Sequence, residues 1–83
     1  MSKMEKRLQS LEKNNYKGCT FQEAKSLYEH YGFTVKNKTG GSHYSLNHPS
    51  LDKTIILPNH PGSLLKPYVK TMCEAIREVK NND

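Results

Sequence analysis

Between Phe21 and Lys36 the spacing of apolar residues changes from three-and-four to two, and the change falls on a glycine. Phe21, Ala24, Leu27, Tyr28 and Tyr31 share one face of a helix, because an α-helix turns once in about 3.6 residues. Gly32 follows as a C-terminal cap, and Phe33 and Val35 then alternate with Thr34 and Lys36, as in a strand with one buried face. Thr20-Phe21-Gln22-Glu23 has capping-box spacing, so the helix is expected to start there, with the threonine oxygen on the backbone N–H of Glu23 and the glutamate reaching back to the cap.

The flanking segments extend this helix-then-strand unit in both directions. Upstream, Met4, Leu8 and Leu11 among charged residues predict a short helix with a narrow apolar stripe, which Asn14-Asn15 ends. Downstream, Lys38-Thr39-Gly40-Gly41 is a turn. Ser42 to His48 resumes the alternation, with Tyr44 and Leu46 toward the core and His43, Ser45 and Asn47 on the opposite face. Pro49 to Asp52 reverses the chain, and Lys53 to Leu57 is a β-branched third strand. Pro58 to Gly62 is expected as a rigid connector that continues neither strand nor helix. Pro67 suits the first turn of a last helix whose stripe is Val69, Met72, Cys73, Ile76 and Val79, with residues 81–83 frayed.

Loops this short join strands only antiparallel, so the expected fold class is α+β, a three-stranded antiparallel sheet with both main helices on one face. Residues 1–19 form an N-terminal helical extension and 20–80 one domain. The uncovered sheet face carries Thr34, Lys36, His43, Ser45 and Asn47. A chain of 83 residues, 34% hydrophobic, fills one thin core and leaves no room for an elaborate internal cavity, so any site belongs on an open surface.

Charge narrows the partners. The net charge is +5, and residues 33–70 contribute +4 of it through Lys36, Lys38, Lys53, Lys66 and Lys70 against Asp52 alone. That favours a polyanion, nucleic acid before an acidic protein and a membrane last. Cys19 and Cys73 form no C-x-x-C pair, the longest apolar run is Ile55-Ile56-Leu57, and the N-terminus lacks the apolar block of a signal peptide. The expectation is a cytoplasmic protein that neither crosses nor enters a membrane.

Gly40-Gly41-Ser42-His43 joins permissive backbone, a hydroxyl and an imidazole, so N–H groups form a small anion nest beside a candidate base. A glycine-rich hairpin followed by a surface histidine is the plainer reading of the same residues. The five lysines are either a phosphate-binding surround or solvated surface. His43 and His48 differ by an odd number in one strand and face opposite ways, so no metal site is expected, and no cofactor. His48 and His60 sit beside prolines, where a histidine bonding loop backbone is the simpler role. His43 has no carboxylate pair for a hydrolase triad or two-metal chemistry.

Gly41-Ser42-His43, then His48-Pro49, then Leu57-Pro58-Asn59-His60-Pro61-Gly62-Ser63-Leu64-Leu65-Lys66 and a final helix resemble the HicA (YcfA-like) toxin family, from about Thr20 to Val79. The resemblance implies a double-stranded-RNA-binding-domain-like fold and a metal-independent endoribonuclease that cleaves mRNA as the toxin of a type II toxin–antitoxin system, held inactive by a HicB antitoxin. It implies that His43 is the catalytic histidine and Gly41 the glycine beside it. Lys36, Lys38, Gly40, Ser42, Ser45, Lys53, Lys66 and Lys70 are then candidate RNA contacts. The chain departs from the family pattern in its segment before Thr20 and in Tyr44, which stands where many relatives have a second histidine. Two further readings of the same surface are a non-catalytic RNA-binding module and a basic subunit that docks an acidic partner.

Overall fold

The computed structural model describes residues 2–37, 41–59 and 61–82. Three helices, α1 (Lys3–Lys13), α2 (Phe21–His30) and α3 (Lys66–Asn82), accompany strands β1 (Thr34–Lys36), β2 (His43–Asn47) and β3 (Ile55–Pro58). The strands form one antiparallel sheet in the order β1-β2-β3. This is the α+β helix-strand-strand-strand-helix arrangement expected from the periodicities, with α1 added in front.

The turn from α2 into β1 follows from Gly32. Its φ of +90° lies in the left-handed region that glycine enters without a Cβ clash. The N–H of Gly32 then reaches the Glu29 carbonyl at 3.1 Å, and that of Phe33 the Tyr28 carbonyl at 3.0 Å, the paired bonds of a Schellman ending. Phe33 spends its N–H closing the helix, and β1 begins one residue later than alternation suggested. Its ring meets Tyr28 edge-on at 4.8 Å, the apolar contact that accompanies such an ending.

At the other end of α2 the Thr20 hydroxyl accepts from Glu23 N at 3.2 Å, as the capping spacing required. The second half of the expected box differs. Both carboxylate oxygens of Glu23 face the Arg7 guanidinium, at 2.7 and 2.8 Å, because a two-pronged charged bond outweighs a return to the cap's N–H.

Strand parity holds across the sheet. Leu46, Ile55 and Leu57 are buried among the helices, and the Tyr44 ring lies 4.9 Å from Phe21. Thr34, Lys36, His43, Asn47 and Ile56 are exposed on the other face. One expectation fails at Pro58, which ends β3 opposite His43 instead of starting the connector. The physical reason lies in the ladder. Asn59 N bonds Ser42 O at 2.6 Å, so His43 and Pro58 are a non-hydrogen-bonded pair, and the proline nitrogen points away from β2 where no donor is needed. The last helix is also longer than its apolar stripe, running through Asn81 and Asn82.

α1 is part of the core. Leu8 and Leu11 are fully buried with Leu27, Val69, Met72 and Ile76. A rim of ion pairs seals the seam: Arg7 to Glu23, and Arg77 to both Glu5 and Glu12 at 2.8 and 2.7 Å. Glu5 also accepts from Lys80 and from the Tyr31 hydroxyl.

Candidate functional site

His43 opens β2 and is exposed on the uncovered face of the sheet. Its neighbours follow from register. In a non-hydrogen-bonded antiparallel pair the side chains approach most closely, so Pro58 flanks the imidazole across β3. Ser45 lies one step along the same face, and its hydroxyl donates to the Lys36 carbonyl at 3.4 Å. Lys36 is the direct partner of Ser45 and therefore the diagonal neighbour of His43, about 7–8 Å away between α-carbons. An imidazole, a hydroxyl and an ammonium group thus share one open corner of the sheet.

The approach to that corner is held by a residue that periodicity did not single out. Asn37 donates from its side-chain amide to the Gly41 carbonyl at 2.7 Å, bridging the two ends of the β1–β2 connection. Asn and Asp often bond backbone near turns, which is the signal that would have marked it. Gly41 and Ser42 are exposed beside His43. Lys38 and Gly40, both candidate RNA contacts, lie outside the described residues, as does His60.

The remaining lysines separate into two groups. Lys53 precedes β3, beyond Leu46–Ile55, the ladder pair farthest from His43. Lys66 and Lys70 are exposed on the first turns of α3. Of the described candidate lysines, Lys36 is the one placed beside His43 by strand pairing; Lys53, Lys66 and Lys70 extend the cationic surface away from it.

His48 belongs to the scaffold. Its Nδ1 accepts the N–H of Ser50 at 3.0 Å, which leaves the ring proton on Nε2 to donate to the Tyr31 carbonyl at 3.1 Å. The ring also packs on Phe33 at 4.9 Å, with its Nε2 3.2 Å from where a Cβ on Gly32 would sit. It ties the end of α2 to the turn after β2, the loop-bonding role the neighbouring proline suggested. Neither cysteine offers a nucleophile. Cys19 and Cys73 are buried, and desolvation pushes both thiols up to about 12.

No group of three histidine, cysteine or acidic side chains is close enough to hold a metal among the described residues, and no described helix is long and apolar enough to cross a membrane. No curated protein and no solved structure matches the chain. A family model described as the HicA toxin of bacterial toxin–antitoxin systems matches residues 21–74. The matched span takes in α2, the whole sheet and the first half of α3, leaving α1 outside it. With well over half of its length covered, including the strand that presents His43, the chain belongs to the HicA toxin family of bacterial toxin–antitoxin systems.

Proposed function

We propose that the protein is a metal-independent endoribonuclease that cleaves mRNA at the open sheet face, with His43 as its catalytic residue. The observation that carries this reading is the exposed imidazole of His43, displayed beside Gly41 and diagonal to Lys36 within the family-matched sheet. RNA carries its own nucleophile, the 2′-hydroxyl, so the protein has to supply a base, charge stabilisation and alignment.

Neutral His43 accepts the proton of a 2′-hydroxyl, and the oxygen attacks the adjacent phosphorus in line. The bond to the 5′-oxygen breaks, leaving a 2′,3′-cyclic phosphate on one product and a 5′-hydroxyl on the other, with the departing oxygen protonated from solvent at this open surface. Lys36, Lys38 and the backbone N–H groups of Gly40 and Gly41 stabilise the phosphorane charge. Loss of one such donor typically costs about 3 kcal/mol of transition-state stabilisation. Tyr44 takes no part, because the residue after His43 points to the other face and its ring rests on Phe21. Ser42, Ser45, Lys53, Lys66 and Lys70 hold the rest of the strand by its phosphates and sugars.

Membership of the family implies an antitoxin partner. In this reading that partner is a HicB-like protein that covers the His43 corner, the toxin acts in the cytoplasm, residues 20–80 form the catalytic domain, and residues 1–19 brace it.

The test pairs the wild-type protein with His43→Ala on RNA whose cut positions have been mapped. The variant is expected to lose cleavage by at least a hundredfold while keeping its thermal stability and most of its RNA affinity. A 2′-deoxy sugar at the mapped position is expected to stop cutting without stopping binding. Undiminished cleavage by His43→Ala, or at the deoxy position, removes His43 from the role of base.

A further inference from the structure

Three large apolar side chains are exposed among the described residues, Ile56 at 51% on β3, Leu65 at 60% just before α3 and Tyr68 at 36% in its first turn. Ile56 and Tyr68 line one groove of about 300 Å³ between that strand and that helix. Its floor holds a second anomaly. Tyr28 is fully buried, yet its hydroxyl has no hydrogen-bond partner among the described residues. A buried unpaired hydroxyl is costly, and a ligand that supplies the missing partner recovers that cost.

We propose that this groove receives one base of the RNA strand whose backbone lies over His43, and so gives the enzyme a nucleotide preference beside the cut. The inference rests on the ribonuclease reading above and assigns a subsite to it. Size selects the occupant: about 300 Å³ is at the lower end for small-molecule sites, enough for one flat ring system and too little for a helix or strand. Chemistry selects it further. The Tyr68 ring offers a stacking surface, the Tyr28 hydroxyl is sealed from solvent and meets a base edge only once the base seats against it, and Lys53 stands at the rim with Lys66 and Lys70 on the adjoining helical turns.

Register fixes the distance from the chemistry. Ile56 pairs with Ser45, and Ser45 shares a face with His43, so Ile56 is the diagonal neighbour of the catalytic residue across β3, about 7–8 Å between α-carbons. Ile55, Leu57, Tyr28 and Tyr68 lie toward the helices and β3 is an edge strand, so the strand reaches this subsite around the edge of the sheet, within a few nucleotides of the scissile one.

The test uses a randomised 20-nucleotide RNA pool in two measurements. Fragments cut by the wild-type protein are sequenced and aligned on the cut, and equilibrium binding of the same pool is measured in the His43→Ala background, where no turnover intervenes. The expected result is a base bias at one position near the cut, flattened in Tyr68→Ala and in Tyr28→Phe. Tyr68→Ala should also weaken binding about tenfold in the His43→Ala background. Tyr28→Phe removes an unpaired hydroxyl and should fold at least as stably, which thermal melts verify.

The outcomes separate the two claims. His43-dependent cutting with identical bias in all three proteins overturns the subsite and leaves the ribonuclease reading standing. Absence of His43-dependent cutting overturns that reading, and the binding measurement then decides the groove by itself: no effect of Tyr68→Ala overturns it. Unchanged RNA readouts combined with release of the purified antitoxin by Tyr68→Ala assign the groove to the protein partner and likewise overturn the proposal.

Discussion

The two histidines of β2 and its turn differ in what surrounds the ring, and that difference ties one into the scaffold and leaves the other exposed for the proposed chemistry. His48 has both ring nitrogens committed, one to Ser50 and one to Tyr31, whereas His43 stands exposed at the sheet's open corner. His48→Ala is therefore expected to lower unfolding free energy by about 1–2 kcal/mol in a urea titration, through two lost hydrogen bonds and a lost contact with Phe33. Its cleavage rate below the transition should stay near wild type, the reverse of the outcome for His43→Ala. Parity along the strand was enough to put His43, Ser45 and Asn47 on one face in advance. The Tyr28 hydroxyl, without a hydrogen-bond partner among the described residues, was not legible in the same way, because periodicity says that a side chain is buried and nothing about what its polar tip meets. Pro58 was misplaced for a related reason: whether a proline fits a strand depends on which side of the ladder its nitrogen faces, and only the pairing register decides that.

At the scale of elements, α1 is held by its apolar stripe and by charges far away in sequence. Glu5, with its side chain 13% exposed, meets Lys80, Arg77 and Tyr31. Those bonds, that with Lys80 foremost, draw its carboxyl down from 4.5 to about 2 against the opposing effect of burial. Because the folded value is the lower one, the contribution to stability is fully present above about pH 4.5 and disappears as pH falls through about 2. The melting temperature of the wild-type protein should accordingly fall across that window. Glu5→Gln should melt lower at neutral pH and show a shallower fall, and superimposable curves for the two proteins would contradict the linkage. The stripe Met4, Leu8, Leu11 announced the helix itself. Its seat against α2 and α3 was hidden, since a narrow apolar stripe carries no address and the Arg77 pairings span 65 and 72 residues.

Taken whole, the molecule carries +5, with acidic partners concentrated where α1 meets α2 and α3 and exposed lysines on the sheet face and the start of α3. If Lys36, Lys53, Lys66 and Lys70 each neutralise one phosphate of a single strand, the logarithm of RNA affinity should fall with the logarithm of salt at a slope of about −3. Fluorescence anisotropy with the His43→Ala protein measures it, and Lys36→Ala should flatten the slope by about 0.7. A slope near zero would mean that the lysines do not meet the backbone. The arrangement of layers was readable because loop lengths allowed only antiparallel neighbours; the grouping of lysines was not, because Lys53 is close to the site in sequence and lies beyond the far end of the ladder. One last property concerns handling the protein in the laboratory. With both native thiols sealed inside and held as weak acids, the native surface is silent toward alkylating dyes, so a cysteine engineered at Ser42 gives a fluorophore a single address at the edge of the proposed RNA path without first stripping the scaffold of its own sulfur.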